Sequence, residues 1–246
     1  MLLRRQLLVA LSSSLFIPKV FAFGESNLFN VAELILPAGT LSRPGAWQRA
    51  LFEVIQSTSI ETNPEVVQIE PSDQKLYAHP FAVLIGNDGF DPLSQQAVEM
   101  LLRYVSYGGF LLFDDTTGDP EGPFSKSVRR LCQRLFPTRS LSPLRGDHSV
   151  YRSFFLLKQP MGRLTVRNYM EGVQIGEVTP LVYCPNDLSG ALDRGLDGRD
   201  KFAVAGGEWQ RTEAVKLAIN LIMYSLTSNY KHDQAHVKKL IEEGRL

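Results

Sequence analysis

Apolar residues recur along this chain in two rhythms. Phe29 to Leu36 is a run of strand length closed by Pro37-Ala-Gly39. Beyond Ser42 and Arg43-Pro44, which read as a helix start, Trp47, Ala50, Leu51, Val54 and Ile55 return every three or four positions. The first rhythm predicts a strand and the second an amphipathic helix. Val66 to Ile69 reads as a short second strand. Phe81 to Ile85 and Phe110 to Phe113 are unbroken apolar runs, as expected of strands buried on both faces in a parallel sheet. Between them Leu93, Ala97, Val98, Leu101, Leu102 and Val105 mark a helix, predicted to start at Asp91-Pro92 and end at Gly108-Gly109.

The pattern continues with a helix through Val128, Leu131, Cys132, Leu135 and Phe136, stopped by Pro137. Residues 140–177 are irregular, with strands expected near Tyr151 to Leu157 and Arg163 to Val166. Val178 to Cys184 is a further strand, which Pro180 places near an edge or bends. Val215, Ile219, Ile222 and Leu226 mark a long last helix, interrupted at Asn229-Tyr230-Lys231 before a charged tail helix over residues 231–246. Strand and helix alternate, so the fold class is α/β with a mostly parallel sheet flanked by helices, in one domain over residues 23–230.

The first residues follow a different logic. Arg4-Arg5, the apolar run Leu7 to Ile17 and the small-residue pattern at Ala22 have the form of a signal peptide over residues 1–22. The run is far below the ~20 residues that span a bilayer. The paired arginines also resemble a twin-arginine signal, which carries folded chains. The expected location is periplasmic or secreted, with no transmembrane span after cleavage. Lys+Arg and Asp+Glu are both 26, and the leader holds three of the bases and no acid. The remainder is mildly acidic, which argues against nucleic acid as a partner. The two cysteines, Cys132 and Cys184, form no disulfide framework and read as buried thiols rather than a pair.

In open α/β sheets, ligands bind beyond the carboxyl ends of the strands. Three predicted strands end in acid or amide pairs: Asn87-Asp88, Asp114-Asp115 and Asn186-Asp187. If these converge they form an oxygen-rich pocket suited to a small polar ligand such as a sugar, or to a hard cation. The competing reading is that each pair only caps a helix or builds a turn. Asp147-His148 lies in the irregular middle. Asp115 with His148 is the candidate acid–base pair of a hydrolase or sugar-active enzyme, with or without a metal, provided the two come within hydrogen-bond reach. Walker-type glycine loops, Gly-x-Ser-x-Gly, His-Glu-x-x-His and Cys-x-x-Cys are all missing, and no cofactor is implied. His232 and His236, four apart, could share a helix face but have no third ligand beside them; His79 is the remaining histidine.

Several short stretches together resemble one family. Tyr77-Ala-His79-Pro80, Leu101-Leu-Arg103-Tyr104-Val105, Gly108-Gly109-Phe110-Leu-Leu112 and Asp114-Asp115 are followed in order by Arg134-Leu-Phe136-Pro137, Asp147-His148 and Tyr151. Tyr183, Asn186-Asp187-Leu188-Ser189-Gly190, Asn220, Tyr224, Leu226-Thr227 and Asn229-Tyr230-Lys231 complete the series. On these residues the chain resembles the bacterial domain of unknown function 4159 family. One departure is visible: Ile85-Gly86-Asn87-Asp88 stands where the family pattern has Thr-Gly-His-Gly. The resemblance implies a class I glutamine amidotransferase-like fold of flavodoxin type. It does not imply that activity, because the turn that would carry the nucleophilic cysteine is Asp114-Asp115-Thr116, and Cys184 is followed by Pro185. The expectation is a noncatalytic exported module that binds a ligand or an envelope protein, with the carboxylate/His enzyme as the alternative.

Overall fold

A computed structural model describes residues 28–242, with side-chain surroundings through residue 228. The proposed leader and the side chains of His232 and His236 lie outside the described residues. The elements run β1 (Phe29–Leu34), β2 (Thr40–Leu41), α1 (Pro44–Ser57), β3 (Thr62–Ile69), β4 (Phe81–Gly86), α2 (Gln95–Ser106), β5 (Phe110–Asp115) and α3 (Pro123–Leu135). They continue with β6 (Ser142–Pro143), β7 (Glu171–Ile175), β8 (Val178–Cys184), α4 (Leu188–Leu192) and α5 (Gly207–Glu242). All belong to a mixed α/β fold around one sheet of order β3-β1-β4-β5-β8-β7-β6. The pairings from β3 to β8 are parallel, while β7 and β6 add an antiparallel flank.

β4 and β5 are buried at every position, as their unbroken apolar runs require. Side chains alternate between two cores. Phe81, Val83, Phe110, Leu112 and Cys184 face α1, α4 and α5, whereas Leu84, Leu111, Phe113 and Tyr183 face α2 and α3. Trp47 of α1 stacks 5.1 Å from Phe81, which stands 5.2 Å from Phe110. Burying each such aromatic is worth ~1.5–3 kcal/mol, which is what fixes α1 to the sheet.

Four local expectations are corrected. α2 starts at Gln95 and not at Asp91-Pro92, because Ser94 takes the capping role by accepting the Ala97 N–H, and Phe90 is held to α3 through Ser127. The stretches Tyr151 to Leu157 and Arg163 to Val166 are not strands. Their amides are bound by side chains: Phe154 and Phe155 donate to Asn220, and Val166 and Arg167 donate to Asn186. Those bonds take the place of a strand ladder. Of the two readings of Pro180 only the edge fails: the residue lies inside the sheet, in β8 between β5 and β7. It is tolerated because the ladder to β5 begins only at Leu181 and the ladder to β7 is irregular there. Finally, α5 continues unbroken through Asn229-Tyr230-Lys231 to Glu242, so the tail extends that helix.

The edge strand β3 contains Pro64 where the register with β1 slips, so its missing N–H falls outside the regular ladder. On the side of β1 away from β3, the chain turns back through Gly39, which has a positive φ, and pairs β2 antiparallel with β4. Among the described residues no helix is long and apolar enough to cross a membrane.

Candidate functional site

The parallel register brings the three polar pairs to one edge. Ile85 lies beside Asp114, Gly86 beside Asp115, and Asp114 beside Cys184, so Asn87-Asp88, Asp114-Asp115 and Asn186-Asp187 all leave the sheet at its carboxyl end. Pleating then separates the two adjacent aspartates, which point to opposite faces of β5. Asp114 accepts the N–H groups of Leu188 and Ser189 at 2.8 and 2.7 Å, at the start of α4. Burial, followed by the charge of Asp187, pushes its pKa up to about 6 against the pull of those amides. Asp115 turns to the other face. It accepts the Tyr183 hydroxyl at 2.6 Å and the Thr117 hydroxyl and N–H at 2.6 and 2.9 Å.

Asn186 uses its whole amide. Its oxygen takes the Val166 and Arg167 N–H groups, and its nitrogen donates to the carbonyls of Pro160 and Arg167 at 2.9 and 2.7 Å. Asp187 adopts a left-handed conformation (φ 53°), caps Gly190, and receives Arg43 at 2.5 Å and the Nε–H of Arg163. The two guanidiniums stack against Phe202, 4.6 and 5.7 Å from its ring centre. Gly162 presses against the Asn186 carbonyl so closely that a Cβ would collide with it. Asp114, Asp115, Asn186 and Asp187 are all fully buried. They fasten the segments around residues 160–167 and 43 over the end of the sheet.

Asn87 and Asp88 are the exposed pair, and Asp88 accepts the N–H of its own turn at Gly89. The crevice beside them, where β1 and β4 diverge, is filled by β2. Thr40 and Leu41 pair with Gly86 and Ile85, and the Asn87 N–H donates to the Gly39 carbonyl. Glu33 sits under this turn, fully buried, accepting the Ser42 hydroxyl at 2.5 Å and the Arg43 N–H at 2.9 Å, with its pKa raised by burial.

Asp115 and His148 are not brought together. The His148 Nε2 bonds Thr179 Oγ1 at 3.1 Å near the start of β8, whereas Asp115 bonds Tyr183 four residues further along. That separates them by ~13 Å of strand. His148 instead caps a 3₁₀ turn by accepting the Val150 N–H on Nδ1, stands 5.7 Å from the Tyr224 ring, and has its pKa lowered by burial. Asp147 is exposed beside it at that same amino-terminal end. Among the described residues no group of three or more His, Cys, Asp or Glu side chains could hold a metal ion. Glu33, Arg43, Arg163 and Tyr183 complete the cluster at the carboxyl edge. Tyr183 is among the residues that carry the family resemblance, and Glu33 is visible as a lone charge inside an apolar strand, but nothing local marks Arg43 or Arg163 as partners of Asp187.

Residues 39–226 match the family described as Domain of unknown function (DUF4159), and the chain belongs to that family. No curated protein matches the chain significantly.

Proposed function

We propose that this DUF4159 chain is a noncatalytic binding module of the cell envelope, built on a flavodoxin-type, class I glutamine amidotransferase-like fold. The fold reading is supported by the five parallel strands. Numbered in their own chain order, β3-β1-β4-β5-β8 becomes 2-1-3-4-5, the order of flavodoxin-like sheets. The turn that would carry an amidotransferase nucleophile holds Asp115-Thr116, and Cys184 is fully buried with its thiol pKa raised well above the ordinary range by burial.

One observation carries the noncatalytic reading: Asp114, Asp115 and Asp187, the acids placed where an α/β enzyme does its chemistry, are buried and bonded within the fold. A general base must reach the proton it removes. Export is supported by Arg4-Arg5, the apolar run to Ile17 and Ala22, all upstream of the matched family region. The remaining partners of this reading are a small polar ligand or another envelope protein.

The test is turnover of chromogenic esters, phosphate esters and glycosides by purified protein, alongside Asp115→Asn. Neither protein should exceed buffer. Wild-type turnover that Asp115→Asn abolishes while circular dichroism stays unchanged would replace this reading with the carboxylate enzyme. For export, the envelope fraction should yield a chain beginning at Phe23, and an intact Met1 confined to the cytosol would refute it.

A further inference from the structure

We propose that the cavity between the β4–α2 loop and the outer face of α3 binds a small amphipathic carboxylate, an apolar chain or ring ending in one anionic group. This site stands apart from the buried acids, and the proposal holds whether or not the chain is catalytic.

The cavity exists because α2 starts late. Residues 87–94 stay out of any helix and are tied to α3 at Phe90 and Leu93, leaving a hollow of about 250 Å³ with Phe90, Pro92, Leu93 and Leu131 as its apolar lining. Phe90 and Leu131 are anchored in the core, and Phe90 meets the Phe124 ring edge-on at 5.9 Å. The floor is therefore preformed. Its volume lies just under the ~300–1,000 Å³ of ordinary small-molecule sites, which limits the ligand to a short chain or a single ring.

The rim sets the charge. Arg130 and Arg134, one helical turn apart on α3, both line the cavity, and no acidic side chain does. Arg134 donates to the Leu93 carbonyl at 2.6 Å, and Arg130 donates to the Ser127 hydroxyl at 2.7 Å. These bonds hold each guanidinium in place while leaving further N–H groups on it. Among the described residues neither arginine pairs with a carboxylate, whereas the neighbouring Arg129 is matched by Glu171 at 2.6 Å. α3 carries Lys126, Arg129, Arg130 and Arg134 and no acid at all, in a chain of balanced charge. A fixed pair of planar donor forks over an apolar floor suits a carboxylate with a hydrophobic body. An alcohol would leave the forks unmatched, and a bare inorganic anion would leave the floor unfilled.

The experiment is titration of the purified full-length protein with octanoate below its micelle concentration, followed by calorimetry and by methyl NMR of Leu93 and Leu131. Octanoate should bind and shift those methyls, while 1-octanol and inorganic phosphate should bind at least tenfold more weakly. Arg130→Gln with Arg134→Gln should reduce octanoate affinity at least tenfold with the circular dichroism unchanged. If that variant fails to fold, Gln133→Glu serves instead. It keeps both arginine bonds, puts a carboxylate at the rim, and should weaken octanoate by a similar factor. Equal binding of octanoate and octanol, no loss in the folded variant, or binding of an acidic peptide in place of octanoate would overturn the proposal.

Discussion

The hydroxyl of Tyr183 donates to the carboxylate of Asp115 at 2.6 Å, joining neighbouring strands β8 and β5 at their carboxyl ends. The carboxylate is fully buried, so its donors are what make its burial tolerable. A hydrogen bond to a charged group is worth ~1.5–3 kcal/mol, and one kcal/mol moves the midpoint of a domain this size by ~2–4 °C. Tyr183→Phe should therefore lower Tm by roughly 3–12 °C. An unchanged Tm would mean that Thr117 alone satisfies Asp115.

Asp114 makes a signed prediction about pH. Its folded pKa, about 6, lies above the ordinary 3.8, so between those values the folded chain holds a proton that the unfolded chain has released. Acidification through that window stabilises the fold, and stability from this group is lost as pH rises through about 6. Asp114→Asn does not titrate. In urea unfolding, the stability difference between wild type and variant should shift toward wild type by on the order of 1 kcal/mol from pH 7 to pH 5. A difference that stays constant with pH would show that Asp114 is ionised throughout.

His148 has the opposite sign. It caps its 3₁₀ turn only while Nδ1 is free to accept from Val150, and burial lowers its pKa below 6.5, with the exposed charge of Asp147 opposing. The unfolded chain then takes up the proton first, so this contribution is complete above pH 6.5 and declines as pH falls toward the lowered value. Asn is a strong capping residue that does not titrate. His148→Asn should therefore hold its stability from pH 7 to pH 5.5 while wild type loses some relative to it, and parallel profiles would remove His148 as the cause.

Gly86 marks the meeting of β4 with α3, where a Cβ would overlap the Phe124 ring. Gly86→Ala should cost about 1–3 kcal/mol by overpacking. Phe124→Leu, which clears the ring, should recover part of that loss in the double variant. Additive losses in a double-mutant cycle would show that the two residues do not meet.

The parallel core was legible because β4 and β5 are buried on both faces and carry unbroken apolar runs. The same logic placed the polar pairs at one edge, since each follows a strand that must run the same way. Their use was not legible. Whether Asp187 faces solvent or two arginines depends on Arg43 and Arg163, which lie 144 and 24 residues away. The irregular middle misled for a related reason: Val166 and Phe155 look like strand residues, but their amides are bound by Asn186 and Asn220, partners that no local pattern encodes. Asp115 and His148 are each visible as polar residues, but no local pattern tells that they lie toward opposite ends of β8. The length of β8 keeps them apart.

The sheet also stands between the two thiols: Cys132 is buried among α2 and α3, and Cys184 in the core on the other side. The fold is thus indifferent to redox poise, owing no stability to an oxidant and leaving no half-made bridge to be completed later. A chain of this kind can reach its final structure as readily in a reducing compartment as in an oxidising one. Its melting temperature should be the same with and without a thiol reductant.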